Sequence, residues 1–412
     1  MAIISTYTAL NQIKIGLNFG NGIIPVGRLA SRDNNIYFEY DQSFLASNLE
    51  ISPINLPLAS GLKSFKSIPF EGLPGVFYDS LPDGWGRLLL DRLLRSKNLL
   101  PNEFTALDRL AHVGLNGMGA LVYEPDLSED NIKATINLDE LAKQTETVLE
   151  GEAEEKLQEL IALNGSSAGA RPKALIGIDR DKQKIIHGKP DLSEAYDHWI
   201  VKFPNGTDGL DGGAIEFVYS LMAKKAGIEM METHLFKAAK GAGYFATKRF
   251  DHQKNKRLHM HTASGLLHAD FRNPSLDYED LMSLTEVLTK DVREVEKMFR
   301  LAVFNVLSHN RDDHGKNFSF LMNQTGEWKL SPAYDLTFSS GPRGHQSTMV
   351  MGEGQYPSTD HLLKLGLAAK LSQTIIATII DQTRNALNQW RSLAAGYGVS
   401  KTSIDLIAKR MT

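Results

Sequence analysis

No cysteine occurs in the 412 residues, which excludes disulfides, thiolate metal sites and cysteine nucleophiles and leaves carboxylates, lysine, histidine and hydroxyls to carry any chemistry. Long apolar runs are missing too. LAVFNVL at 301–307 is far short of the roughly 18 to 20 residues that a membrane helix needs, so no membrane association is expected. The stretch MAIISTYTALNQIKIGLNFG has no basic head followed by a long apolar core and a cleavage site. No secretion signal is therefore read, and a cytoplasmic location is expected. Nor is there an excess of positive charge: the formal net charge is −4, which gives no global attraction to polyanions and no compositional support for nucleic-acid binding.

What is present supports a folded protein. A hydrophobic content of 42% with 23% charge supplies enough apolar surface for most of the chain to pack. The length exceeds what one core serves, so about two to three domains are expected. Residues 1 to about 60 alternate β-rich runs (IKIGLNF, IYFEY) with turn clusters (FGNG, SRDNN) and read as a small antiparallel sheet. PDGWGRLLLDRLLRSKNLLP then places Leu88, Leu89, Leu93 and Leu94 at helical spacing before Pro101, an amphipathic helix expected to pack on that sheet. A short helix around Phe104 to His112 leads into VGLNGMGALVYEP, whose glycines turn into a strand. An acidic, helix-prone stretch at about 126–163 precedes GSSAGARPKALIGI, the strand HWIVKF, the helix AIEFVYSLMAKKAGI and the strands THLFKA and YFATKRF. Helical patterns dominate from about 258 onward. The order is a β-rich half and a helical half, with the border near ATKRFDH.

The densest polar cluster, HNRDDHGKNFSF at 309–320, lies between an apolar helix and an apolar strand. It contains Arg311-Asp312-x-x-x-x-Asn317, the spacing of a protein-kinase catalytic loop, in which Asp orients and deprotonates a hydroxyl and Asn holds Mg²⁺. By itself this spacing fits a solvated turn equally. Asp335, 18 residues after Asn317 in WKLSPAYDLTFSS, is a second carboxylate of the kind that phosphoryl transfer needs on its metal; alone, it reads as a cap. Asp313, one residue out of register, is expected to tolerate substitution better than Asp312. Lys202 in HWIVKFP fits either a phosphate-binding lysine or an edge-strand lysine, and Glu216 in the next helix either orients it or faces solvent. The run Asn164-Gly165-Ser166-Ser167-Ala168-Gly169-Ala170 lets backbone N–H groups approach phosphate, or is simply a loop. It is neither a Walker A sequence nor G-x-G-x-x-G. His259, His261, His268, His309 and His314 lack an H-E-x-x-H pair and are read as structural, and no G-x-S-x-G elbow supports a hydrolase.

Taken together, VGRLASRDNNIYFEY, FYDSLPDGWGRLLLDRL, VGLNGMGALVYEP, GSSAGARPKALI, HWIVKFP, YFATKRFDH, RDDHGKNFSF and LSPAYDLTFS resemble, nearly end to end, the HipA family of bacterial serine/threonine kinases, toxins of type II toxin–antitoxin modules. The resemblance implies an α+β, bilobal protein-kinase-like fold related to both protein and lipid kinases. Its parts would be a β-rich N-terminal subdomain (1–108), an N-lobe with the small-residue loop (109–247) and a mainly helical C-lobe (248–412). By position it implies ATP and Mg²⁺ as cofactors, Asp312 as catalytic Asp, Asn317 and Asp335 as metal ligands and Lys202 on the ATP phosphates. Ser167, Ala168, Gly169, Ala170 and Lys173 would line the phosphates. Lys248 and Phe250 of the hinge would offer backbone groups and a ring wall to adenine. Ser166 is the implied autophosphorylation site, with Ser167 next to it. A protein substrate, of the aminoacyl-tRNA synthetase class in better-known members, and a HipB-like helix-turn-helix antitoxin are the implied partners, with DNA reached only through the antitoxin. In the C-lobe the H-Q-E-D-like stretch reads LLHADF, with Asp270 kept and Ala269 in place of the acidic residue.

Overall fold

The structure is a computed structural model that describes residues 7–128, 135–151, 157–164, 169–188, 192–205, 209–254, 256–273 and 275–411. The chain divides into two compact units: residues 1–207 with 251–260 and 323–326, and residues 208–250 with 261–322 and 327–412.

The first unit opens with β1 (Gln12–Asn18), β2 (Ile23–Arg32) and β3 (Asn35–Tyr40), paired antiparallel in succession. Asp33 and Asn34 form the two-residue link between β2 and β3, both at positive φ; this is the primed turn whose twist matches the strands, and Asp and Asn tolerate it. Alternation along β1 buries Ile13, Ile15 and Leu17. After α1 (Gln42–Leu45) and β4 (Lys63–Ser64) come α2 (Gly75–Tyr78), α3 (Gly84–Ser96), α4 (Ala106–Val113) and β5 (Leu121–Glu124), which completes a sheet of order β4-β3-β2-β1-β5. A capping box between Thr105 and Asp108 starts α4, satisfying N–H groups that the first turn leaves open.

The helix expected on the sheet lies elsewhere. α4 packs on β1, β2 and β5, whereas α3 packs chiefly on α6 (Leu157–Asn164), which follows α5 (Leu138–Leu149). Leu90 and Leu94 of α3 close on Phe104, the residue that leads into α4, and α4 takes the sheet face. α6 in turn packs on β6 (Lys173–Asp179), the middle strand of an antiparallel set with β7 (Ile185–His187) and β8 (Tyr196–Lys202).

In the second unit α7 (Gly212–Lys225) packs on the hairpin of β9 (Thr233–Phe236) and β10 (Tyr244–Lys248). The chain then returns to the first unit through β11 (His252–Gln253) and β12 (Lys256–Arg257). Beyond β13 (His259–Thr262) follow α8 (Ala263–Leu267), α9 (Tyr278–Thr289), α10 (Val292–Leu307), β14 (Ser319–Met322) and β15 (Trp328–Leu330), then α11 (Thr359–Ala368), α12 (Gln373–Leu387), α13 (Trp390–Gly396) and α14 (Lys401–Ala408). Their starts are written in the sequence: Asp277, Asp291, Ser372 and Ser400 each accept a first-turn N–H. α10 is the central beam. Val295, Met298, Phe299, Ala302, Val303 and Val306 are all buried, and it packs on α9, α11, α12 and β15. Among the described residues no helix is long and apolar enough to cross a membrane.

In the first unit the VGLNGMG turn is held from outside itself. Arg257, buried, donates to the carbonyls of Gly119 (2.8 Å), Gly117 (3.1 Å) and Leu115 (3.2 Å), while the Asp251 carboxylate accepts the Gly119 N–H at 2.7 Å. A replacement that fills the space without donors leaves these carbonyls unsatisfied. Arg257→Met should lower unfolding stability by about 3 kcal/mol or more, read by denaturant titration; a value near wild type would show that the turn holds itself.

Candidate active site

The polar cluster begins where α10 stops. Ser308 caps the helix, His309 turns the chain at φ 58, and residues 310–314 lead into a 3₁₀ turn at Gly315–Asn317 and on to β14. Burial, aided by Arg311 and Arg410, pushes the His309 imidazole down to about 4. It is therefore neutral at pH 7, stacked on Phe338 with centroids 5.5 Å apart.

β14 and β15 pair antiparallel from Met322↔Trp328 back to Phe320↔Leu330, and the Ser331 N–H to Ser319 carbonyl bond (2.8 Å) continues the ladder. This hairpin folds out the chain between Asn317 and Asp335, which lies 18 positions further on. Two further ties fix the returning strand. The Tyr334 hydroxyl donates to the Lys316 carbonyl at 2.6 Å and so accepts from Ser319 Oγ at 2.5 Å. Past Asp335, Ser339 bridges to the other arm of the loop: its N–H donates to His309 O (3.2 Å) and its carbonyl accepts the Arg311 N–H (3.3 Å). The neighbours of Asp335 on both sides are thus bonded to the segment that carries Asp312 and Asn317. Asp335 itself sits at φ 57, a left-handed conformation that Asp tolerates better than most residues.

Within the loop the Asn317 amide donates to the Asp312 carbonyl at 2.6 Å. That bond fixes the amide and leaves its Oδ1 without a hydrogen bond among the described residues. The Asp312 side chain is 61% exposed, with His314 Nε2 at 3.9 Å. Asn317 Oδ1 and the Asp335 carboxylate are hard oxygen donors, the kind Mg²⁺ takes, and one or two protein groups plus phosphate are its usual complement. Among the described residues no group of three or more His, Asp or Glu would hold a metal unaided.

Asp313 corrects the expectation that it tolerates change. It is 1% exposed and its carboxylate accepts four bonds, from Tyr278 Oη (2.7 Å), Gln346 Nε2 (2.8 Å), Ser347 N (2.9 Å) and Thr348 N (3.2 Å). Burial pushes its carboxyl up to about 6, while these donors pull it down. Asn305 donates to the same tyrosine hydroxyl at 3.0 Å and accepts from Asn310 at 3.0 Å. Around it, Arg311 donates to the carbonyls of Gly344 and Gln355. The loop is therefore anchored through the acid that faces inward.

Phe250 is buried against Tyr334, with ring centroids 5.4 Å apart, so the proposed adenine wall and the tyrosine beside Asp335 are in contact. Lys248 ends β10, its N–H already donated to the Glu232 carbonyl at 2.9 Å. Glu216 is buried in α7, which removes its solvent-facing alternative. Asp270 caps a local turn, accepting from Arg272 N at 3.1 Å and Asn273 Nδ2 at 3.3 Å; its neighbour Phe271 carries the Lys316 ammonium 4.6 Å from its ring centroid.

The first unit holds the other expected residues. Lys202 ends β8 directly opposite Lys173 at the start of β6, and Lys173 is buried. Residues opposed in this way project from one face, so the two ammonium groups share it. Gly169, at φ +106 with Lys173 Nζ beside it, and Ala170 precede β6. Ser166, Ser167 and Ala168 lie outside the described residues. Sequence reading misjudged Asp313 and passed over Tyr334, whose partners are distant in the chain; the available signal was that both sit inside the two acidic motifs.

A model of the HipA N-terminal domain matches residues 21–124 and a model of the HipA-like C-terminal domain matches residues 165–390, more than half of the chain. The chain belongs to the HipA family. Among curated relatives, the Sinorhizobium fredii protein named putative kinase Y4mE is 26% identical over 392 residues, covering 86% of this chain and 87% of that protein. Putative kinase Y4dM of the same organism is 24% identical over 230 residues, 51% and 54% of the two chains. The HipA chain in the Shewanella oneidensis MR-1 complex of HipA, HipB and operator DNA superposes with a TM-score of 0.69 at 17% identity, over 96% of this chain and 95% of that one. This HipA-family chain therefore shares that fold, a β-rich N-terminal part followed by a helical C-terminal part.

The two neighbouring acids of this HipA-family loop should respond oppositely to amidation. Asp313→Asn turns an amide N–H₂ towards a pair of donors in a dry site and should cost about 3 kcal/mol of stability, whereas exposed Asp312→Asn should change it by less than about 0.5 kcal/mol. Chemical denaturation compares them; equal stabilities would mean that Asp313 does not anchor the loop.

Proposed function

We propose that this chain is an ATP- and Mg²⁺-dependent serine/threonine protein kinase of the HipA type, acting in the cytoplasm. The observation that carries the reading is the double tie between the two acidic segments: the β14–β15 hairpin with the Tyr334–Lys316 bond on one side of Asp335 and the Ser339 bridge on the other. Such ties join the segment that carries Asp335 to the loop that carries Asp312 and Asn317, which supports a reading as phosphoryl transfer, whose catalysis is mainly positioning and charge neutralisation.

MgATP, when bound, supplies the transferable γ-phosphoryl group and the cation that neutralises it. The chain's own residues then divide the work. Asp312 orients the acceptor hydroxyl and takes its proton. Asn317, through the oxygen its amide bond to Asp312 leaves available, and Asp335 hold the cation. Lys202 and Lys173 answer the phosphate charge. Both lysines project from one face of the β6–β8 pair, and would hold the phosphates there by charge. The exposure of Asp312 favours a hydroxyl presented by a protein over one enclosed in a deep pocket. The Shewanella HipA is in complex with HipB and operator DNA; for this chain we infer a HipB-like helix-turn-helix antitoxin, with DNA reached only through it.

Asp312→Asn should reduce phosphoryl transfer by about 10² to 10⁴ and leave ATP affinity largely intact, because it removes the base and not the phosphate contacts. Asp335→Ala should weaken Mg²⁺-dependent nucleotide binding more, since too few protein oxygens remain to fix the cation. Calorimetry and radiolabel transfer separate the two effects. Unchanged labelling by Asp312→Asn rules out that base, and labelling of a small molecule or lipid but no protein would move the assignment to another kinase class.

We further expect incubation with MgATP to place phosphate on Ser166 or Ser167 and to lower later activity. A phosphoserine adds roughly −1.5 to −2 charge to a segment assigned to the ATP phosphates, and two anions then compete for one set of donors. Mass spectrometry of the wild type beside a Ser166→Ala, Ser167→Ala double variant tests this; phosphate found only elsewhere, or full ATP affinity in the modified sample, overturns it.

A further inference from the structure

Asp83 occupies the N-cap position of α3 with extended backbone, φ −122 and ψ 177, yet caps no N–H of its own helix. An aspartate there ordinarily accepts from the second or third residue of the helix. Instead, its Oδ1 accepts the N–H of Gly169, 86 residues away, and the Trp85 N–H that a cap would take goes to the Gly169 carbonyl at 3.1 Å. Both polar groups of Gly169 are therefore held by the first turn of one helix, and Gly169 does the capping that Asp83 does not.

The approach leaves no slack. Gly84 lies at φ +44, and a Cβ on it would stand 2.6 Å from the Gly169 carbonyl oxygen and 2.7 Å from Ala170 Cα. Asn164, buried at the end of α6, fills the space a Gly86 side chain would need. The residues on either side of positions 165–168 thus rest on the same turn of α3. On its other face Gly169 has the Lys173 ammonium, 2.6 Å from where its own Cβ would be.

We propose that Asp83 is a positioning residue for the nucleotide: by clamping Gly169 onto α3, it fixes the backbone from Gly169 to Lys173, against which the phosphates are bound. The inference rests on the kinase reading above. The carboxylate does not itself contact phosphate; it spends the Gly169 N–H so that the segment is anchored before ligand arrives, and a preorganised site does not lose binding energy to ordering.

The test compares full-length wild type, Asp83→Ala, Asp83→Asn and Gly84→Ala. Asp83→Ala should raise both the MgATP dissociation constant by calorimetry and the KM for ATP about ten- to a hundredfold, the loss of one charge-assisted bond, with kcat at saturating ATP within about threefold of wild type. Asp83→Asn keeps an oxygen acceptor and should recover most of the affinity. Without nucleotide, amide exchange at Gly169 should accelerate in Asp83→Ala and stay slow in Asp83→Asn. Gly84→Ala, which pushes Gly169 away without touching the carboxylate, should raise KM in the same direction and decides the matter if Asp83→Ala does not fold. Folded Asp83→Ala or Gly84→Ala protein with wild-type or tighter ATP affinity overturns the positioning role while leaving the kinase reading in place. A wild type that binds no MgATP sinks the kinase reading and this role with it.

Discussion

An acid that must meet a ligand cannot be held still by its own burial, so something beside it must be buried in its place. The 309–317 loop solves this with adjacent aspartates. Asp312 keeps its side chain mostly in solvent while Asp313, one residue on, is sealed among four donors drawn from α9 and the 346–348 segment. A buried carboxylate is tolerable only when its lone pairs are met, and the groups that meet it are also the groups that immobilise the loop backbone. Removing the inner acid would therefore loosen the outer one; removing the outer acid disturbs nothing behind it.

Other parts of the second unit extend that anchor. Asn317 ties the far end of the loop to Asp312 through a backbone carbonyl, Tyr334 ties the returning strand to Lys316, and Ser339 ties its continuation to His309 and Arg311. None of these bonds uses a carboxylate oxygen of Asp312 or Asp335. The support these bonds give comes from main-chain groups and neutral side chains.

Much of this was legible in the sequence, and what was not follows a physical rule. Helix starts could be read because a cap acts within four residues: Asp277, Asp291, Ser372 and Ser400 stand where their helices begin. The R-D-x-x-x-x-N spacing and the later Asp335 could be picked out as one candidate site because the proposed base and metal ligands call for those residue types. Burial could not be read between two adjacent aspartates, since the donors that distinguish Asp313 from Asp312 arrive from 33 to 35 residues away on either side. For the same reason periodicity showed that α3 has an apolar face and not what covers it: the expected sheet is covered by α4, and α3 meets α6.

Some local rules are broken near the proposed chemistry, as they are at ordinary turns such as Asp33 and Asn34. Asp335 and His309 take up left-handed backbone without being glycine, each at a cost of about 1 kcal/mol or more. Lys173 and Lys202 oppose each other across paired strands, and Asp83 leaves its own helix uncapped. Each departure is affordable only because neighbouring elements obey the rules closely: α10 is buried along nearly its whole length, β14 and β15 keep register, and α4 and α9 carry full capping boxes. Left-handed backbone at Asp335 is thus of the same kind as at the helix C-caps His268 and Lys290; what sets Asp335 apart is that its flanking residues are bonded to the 309–317 loop on both sides.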